Sequence, residues 1–359
     1  MSAALGNSSN LLENKSDVID YPLIISSSSG ISDDVLTVLD TVFNCVLIHC
    51  LCLFGIVGNI INVTVLSYQG LKESNIMLFS LSIIDMLGSL FRQVRRLKCI
   101  VATLDIPSSI TIDTFGSVVF ILMDNWCLAL SFFHITAIAV ERCWAVCAPF
   151  SVSSVFTPRR VKILLAFLYV YTAVILSPLF YRLTLVWDTD SSSNATVARV
   201  AYTRFYRDNL EAVNLFSTIF YNNICTTAPL LTILICSLVI ASKLMQERPR
   251  ELAKLSSERS IVKRIKDRKV VKMLLTVCMA TVVSCLPTAI LSMYMVYSRT
   301  ALFTGRLYYV LRSVSDVLYQ FSASVNFIIY VSLSTKFNKV YQQIFLSCFR
   351  SSKNYESDI

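Results

Sequence analysis

The sequence predicts an all-α membrane protein: a seven-transmembrane helix bundle followed by a short cytoplasmic amphipathic eighth helix. Three observations carry that prediction. Of 359 residues, 55% are apolar and 15% are charged, where a soluble domain has about a quarter charged. Seven runs reach the roughly 20 apolar residues that a bilayer-crossing helix needs. Charge is also segregated, acidic before the first run and basic between the fifth and sixth. Glycine and proline number 8 each, which excludes collagen-like and linker-rich chains, and the apolar excess excludes a mainly disordered one.

The runs cover residues 41–67, 75–94, 112–147, 161–183, 213–241, 270–296 and 307–333. Each is continuously apolar well beyond the roughly ten alternating residues of a barrel strand, so helices are expected. Residues 1–40 read as an extracellular, disordered, glycosylated tail with a serine run at 26–29, residues 41–335 as the seven-span domain, and residues 336–359 as a basic amphipathic helix and cytoplasmic tail. No cleavable leader is expected, because 21–25 is too short for one, and the first span is expected to target the chain.

Orientation follows the basic residues near span ends. Residues 243–272 hold eleven Lys and Arg against four acids, whereas residues 1–40 hold six acids and one lysine. The N-terminus is therefore expected outside and the C-terminus inside, at the plasma membrane. Glycosylation sequons at Asn7, Asn14 and Asn194 fall on the outer side, each either used or idle; a further match at Asn62 lies inside the first span. The net charge of +9 resides beside the inner leaflet, where it meets anionic lipid and a partner protein rather than nucleic acid.

Eleven of twelve cysteines lie in or beside spans, where a thiol is usually a small buried hydrophobe. Cys99 alone is placed to face outside, and the loop at 187–209 offers it no partner. Cys348 follows the basic stretch 336–345 and is either palmitoylated or a plain membrane-facing thiol.

Polar groups inside spans are costly and so are the candidate functional residues: Asn59, Asp85, Asp124, Ser131, Glu141, Arg142, Asp316, Asn326 and Tyr330. Asp124 and Arg142 are separated by five helical turns, about 27 Å, on one face of the third helix, with Ser131 on the same face. A carboxylate toward the outside and an arginine at the inner edge of one helix suit coupling between the two sides.

The residues around these points carry a resemblance. Phe54 to Asn59, Leu81 to Asp85, Glu141-Arg142-Cys143 running on to Pro149, Pro229, Ser284-Cys285-Leu286-Pro287 and Asn326 to Tyr330 occur in order on six of the seven spans. Together they resemble the rhodopsin-type (class A) G-protein-coupled receptors over residues 41–350. The stretches 58–62, 69–74, Glu141 to Cys143 and 157–160 look most like a divergent molluscan branch of chemosensory and neuropeptide receptors. The resemblance implies a receptor that binds an extracellular small-molecule or peptide ligand and activates a heterotrimeric G protein, with arrestin and a receptor kinase as further partners. It implies a switch made of Glu141, Arg142, Cys143, Asp267 and Tyr330, in which Asp267 pairs with Arg142 across the bundle. It also implies a metal site at Asp85, Ser131 and Asn326, near Asn59, for a sodium ion; a water-bridged polar cluster is the alternative, and no other cofactor is expected.

Departures from the family pattern are numerous. Ser117 stands where the family has its third-helix cysteine, and Cys285, Thr281, Ser237 and Phe327 replace residues of the usual activation relay. The outer disulfide is therefore expected to be absent. Asp124 stands where amine receptors hold an ammonium, but Tyr221, Asn222 and Cys225 stand where catecholamine receptors carry serines. A larger cationic group, held by Asp124 and Asp316 with Trp126, Tyr221, Asn222, Tyr319 and Gln320 nearby, is the expected ligand feature; a biogenic amine is the alternative, as is Asp124 spending its charge on a neighbouring helix. Arg92, Arg95, Arg96 and Lys98 either attract an acidic ligand or snorkel to the interface.

Two other classes compete. A transporter would show internal repeats and broken midplane helices, and no repeat relates 41–180 to 210–333. An enzyme would need a catalytic set, whereas His49 and His134 are isolated and no metal-ligand spacing or phosphate loop occurs.

Overall fold

The computed structural model describes residues 31–70, 73–101, 105–190, 194–246, 258–297 and 306–346. Seven long helices follow in order: α1 (Asp33–Gln69), α2 (Asn75–Val101), α3 (Pro107–Cys147), α4 (Pro158–Phe180) and α5 (Leu210–Gln246), then α6 (Glu258–Tyr297) and α7 (Arg306–Leu333). Six of the described helices are long and apolar enough to cross a bilayer by themselves, and a seventh candidate is counted when α7 is taken together with the segment beyond it. That segment turns by 97° at Ser334 into the short α8 (Thr335–Tyr341), whose start is capped by Ser334 Oγ accepting from the Phe337 amide at 3.2 Å.

The helices are longer than their apolar runs. α1 begins at Asp33, inside the stretch assigned to the tail, because Ser32 caps it and two aspartates occupy its first turn, where the helix dipole favours negative charge. α3 begins under an Asp105 cap, with Asp105 Oδ2 accepting from the Ser108 amide at 3.0 Å. Wide π-type turns interrupt α3 at Gly116–Phe120 and α5 at Phe216–Tyr221 and Asn223–Thr227; such turns re-aim side chains and recur at functional sites.

Between α4 and α5 the chain forms an antiparallel hairpin, β1 (Leu183–Thr189) with β2 (Thr196–Tyr202), pairing Leu183 with Tyr202 and Thr189 with Thr196. The helical periodicity of the spans gave no sign of these strands. β2 is buried on both faces, with Val197, Ala198, Val200 and Ala201 all covered, so it lacks the period-two alternation that marks a strand in sequence. Exposed Asn194 sits in the turn with φ 53°, a left-handed conformation that asparagine tolerates.

One apolar cluster binds all eight helices, drawing Val65, Leu81, Ile135, Leu165, Ile233, Leu274, Tyr330 and Phe337 together. Apolar residues such as Leu53, Val57, Ile163, Val170 and Leu238 face outward; in a bilayer these are lipid contacts.

Candidate functional site: a charged cavity at the hairpin end

At the hairpin end a cavity of about 500 Å³ is lined by α2, α3, α4, α5, α6, α7 and the hairpin base, within the usual range for a small-ligand site. Asp124, Tyr221, Asn222, Asp316 and Tyr319 are among its lining residues. Trp126 and Gln320 are not: the Trp126 indole donates to Thr172 Oγ1 on α4 at 3.1 Å, and Gln320, fully buried, donates to Ser89 and Ser324.

Asp124 is not an open anchor. Arg92 of α2 donates to both its oxygens, Nη2 to Oδ1 at 2.7 Å and Nε to Oδ2 at 3.1 Å, and the pair is almost wholly buried, 4% and 5% exposed. Arg92 Nη1 reaches Gln320 Oε1 at 3.4 Å, and its guanidinium lies 4.6 Å over the Tyr319 ring. This two-point fork is the strong form of the charge-assisted hydrogen bond. Removing one partner of such a buried pair costs about 3 to 5 kcal/mol, because the other charge is left uncompensated. Arg95 stands 3.7 Å from Asp124 and 4.0 Å from Asp316, and Arg96 stands 3.6 Å from Asp316. Arg92, Arg95 and Arg96 thus point into the bundle, not out to the interface, while Lys98 pairs with Asp113 at 3.0 Å.

Sequence reasoning took the carboxylates as the functional groups and left the arginines between two readings. The signal that places Arg92 was present: Asp85, Ser89 and Arg92 recur at four and three residues, one inward face of α2, and a charge at that depth faces the bundle interior.

A bridge ties this end together where none was expected. Cys99 is bonded to Cys45 of α1, 54 residues earlier. Its partner lies on a neighbouring span and not in the loop, so matching loop cysteines alone could not find it. With Ser117 in place of a cysteine, the hairpin is held instead by α3 hydroxyls: Thr114 Oγ1 donates to the Ala198 carbonyl at 2.8 Å and the Ala198 amide donates to Thr111 Oγ1 at 3.3 Å.

Below the cavity, Asp85 accepts from Ser131 Oγ at 2.8 Å and from Asn326 Nδ2 at 2.9 Å, while Asn59 Nδ2 donates to the Gly55 and Ala323 carbonyls. The sequence-derived trio is therefore one buried cluster. Its carboxylate, hydroxyl and amide are the oxygen donors that a hard cation takes, and the same groups satisfy one another as they stand. At the far end of α3, Arg142 Nη2 donates to Glu141 at 2.9 and 3.0 Å. Cys143 packs against the apolar cluster, and the buried Tyr330 hydroxyl has no hydrogen-bond partner among the described residues. The Asp267 side chain, Asn7, Asn14 and Cys348 lie outside the described residues.

Seven long helices enclosing a ligand-sized cavity at one end, with an arginine and glutamate at the other end of the same helix, define a polytopic membrane receptor. The sequence matches the 7 transmembrane receptor (rhodopsin family) over residues 58–330, and the chain belongs to that family of non-enzymatic receptors, as a multi-pass plasma-membrane protein. It is 34% identical over 145 residues to the alpha-2B adrenergic receptor of Erinaceus europaeus, covering 37% of this chain and 33% of the relative. It is 32% identical over 143 residues to that of Mus musculus, covering 37% of this chain and 29% of the relative. The matched stretch thus spans about a third of the length of these relatives.

Proposed function

We propose that this chain is a G-protein-coupled receptor that takes an extracellular ligand into the cavity at the hairpin end and activates a heterotrimeric G protein at the Glu141–Arg142 end. One observation carries the reading: a single helix, α3, lines the cavity through Asp124 and Asn125 and ends at the paired Glu141 and Arg142. In this reading the N-terminus and hairpin are outside, Asn7, Asn14 and Asn194 are glycan acceptors, and the C-terminus, with Cys348 as a lipidation site, is inside. Glu141, Arg142, Cys143, Asp267 and Tyr330 form the coupling switch, and arrestin, a receptor kinase and inner-leaflet lipid meet the chain at that end. A sodium ion at Asp85, Ser131 and Asn326 would tie α2, α3 and α7 in one of the two arrangements.

The test is nucleotide exchange on purified heterotrimeric G proteins by membranes holding the chain. Release of a restraint between Arg142 and Asp267 favours the active arrangement, so Asp267→Ala should raise basal exchange at equal surface expression. Unchanged basal exchange removes that restraint.

A second reading, a biogenic-amine receptor, is favoured by the names of the aligned relatives, which are adrenergic. It requires an ammonium to compete with Arg92 for Asp124. Substrate flux across vesicles without nucleotide exchange would instead favour a transporter.

A further inference from the structure

We propose that the ligand accepted by this cavity carries a carboxylate, received by Arg95 and Arg182. The inference rests on the reading of the cavity as the ligand site and names its ligand class.

Its first support is the charge count. The lining holds four arginines (Arg92, Arg95, Arg182 and Arg312) against two aspartates, Asp124 and Asp316. The cavity therefore carries an excess of two positive charges, in a low-dielectric setting where such an excess is felt strongly. Asp124 is already engaged by the Arg92 fork, so an ammonium entering there must strip a buried arginine of its partner. A carboxylate displaces nothing.

The second support is unspent hydrogen-bonding capacity. Arg95 is 11% exposed, and its ion pairs at 3.7 and 4.0 Å lie beyond hydrogen-bond reach; its buried Nε has no acceptor among the described residues. Arg182 at the base of the hairpin is in the same condition: its Nε is buried without an acceptor, and its guanidinium rests 5.0 Å over the Tyr206 ring. Both arginines line the cavity, and a guanidinium held there without a close acceptor is costly, so an acceptor-rich guest is favoured at their exposed N–H groups. A carboxylate accepts two parallel N–H groups from an arginine, which a hydroxyl or amide does not.

The third support is how Arg95 is held. Gly116, in the wide turn of α3, leaves room that a Cβ would fill: it would stand 3.0 Å from Arg95 Cγ and 3.3 Å from the Arg95 backbone. The glycine lets α2 and α3 close on each other there and fixes the stem of the arginine beside the cavity. Leu128, Phe132, Leu179 and Tyr319 supply an apolar remainder to the lining, so the acid is expected to carry an aromatic or branched aliphatic body. Two sources present that chemistry, a free carboxylic acid and the C-terminus of a peptide.

The test is thermal stability of the purified full-length chain with 3-phenylpropionate, N-acetyl-glycyl-phenylalanine, the C-terminal amide of that peptide, and phenethylamine. The expected result is a rise in Tm with the acids and none with the amide or the amine. Arg95→Gln or Arg182→Gln should weaken acid binding about tenfold or more, as loss of one charge-assisted contact does, with Arg95→Lys between. If the peptide acid stabilises at lower concentration than 3-phenylpropionate, the source is a peptide end; the reverse order makes it a free acid. If a glutamine variant does not melt cooperatively, the acid–amide comparison on the unaltered chain still decides. Equal stabilisation by acid and amide, stabilisation by phenethylamine alone, or no response to either acid overturns the proposal. Nucleotide exchange measured alongside separates the two readings. Acid binding without exchange keeps the anion site and removes the receptor role, whereas exchange driven by an amine does the opposite.

Discussion

Two buried aspartates, Asp85 and Asp124, sit in the same bundle and are satisfied by opposite means. Asp85 is held by neutral donors, a hydroxyl and an amide from α3 and α7. Asp124, by contrast, is held by a fork from Arg92, with Arg95 close behind and the cavity in front. A carboxylate held by neutral donors can trade one of them for a water or a cation without stranding a buried counter-charge. The ionic cluster cannot lose a member without exposing a buried charge. The first is therefore a place where small changes at the centre of the bundle can be absorbed, and the second a rigid floor on which a ligand lands.

The same substitution at both sites breaks or upholds that contrast. Asp124→Asn should cost about 3 to 5 kcal/mol, since Arg92 keeps its burial and loses its counter-charge; the check is thermal unfolding of the purified chain and loss of surface expression. Cutting the bridge on the hairpin side of this cluster comes next. Cys99→Ser should cost roughly 2 to 4 kcal/mol by freeing a 54-residue closure, and a free-thiol titration before and after reduction should report the bond. Asp85→Asn should cost about 1 to 3 kcal/mol, the scale of a buried hydrogen bond left facing a donor. If it proves as damaging as Asp124→Asn, the two aspartates are not different in kind. The smallest effect is expected at the hairpin: Thr114→Val removes the 2.8 Å bond to Ala198 and should cost about 1 kcal/mol, with proteolysis at 183–202 accelerated while bundle unfolding barely shifts.

How much of this was readable in advance depends on which dimension the information occupies. Span positions, the eighth helix and the polar trio of Asp85, Ser131 and Asn326 follow from spacing along the chain, because a bilayer imposes a length and a helix imposes a period. Cys45–Cys99 and Arg92–Asp124 join residues 54 and 32 apart on different helices, and no period relates them. The position of Arg92 on the inward face of α2 was legible; its choice of Asp124, which the sequence offered to a ligand, was not.

The sequence by itself determined that the chain crosses the bilayer as helices, where the apolar stretch of each one lies, and which polar residues had to find shelter inside, since each of those is a one-dimensional consequence of hydropathy and period; the extensions of α1, α3 and α6 beyond those stretches were not among them. Only the tertiary structure decided which shelter each one found. Arg92 took Asp124, the hairpin took the hydroxyls of α3, and Arg95 and Arg182 were left facing the cavity. Pairing depends on how helices rotate and approach one another. That is set by the packing of all of them at once, and a buried charge binds whichever partner that packing brings within reach.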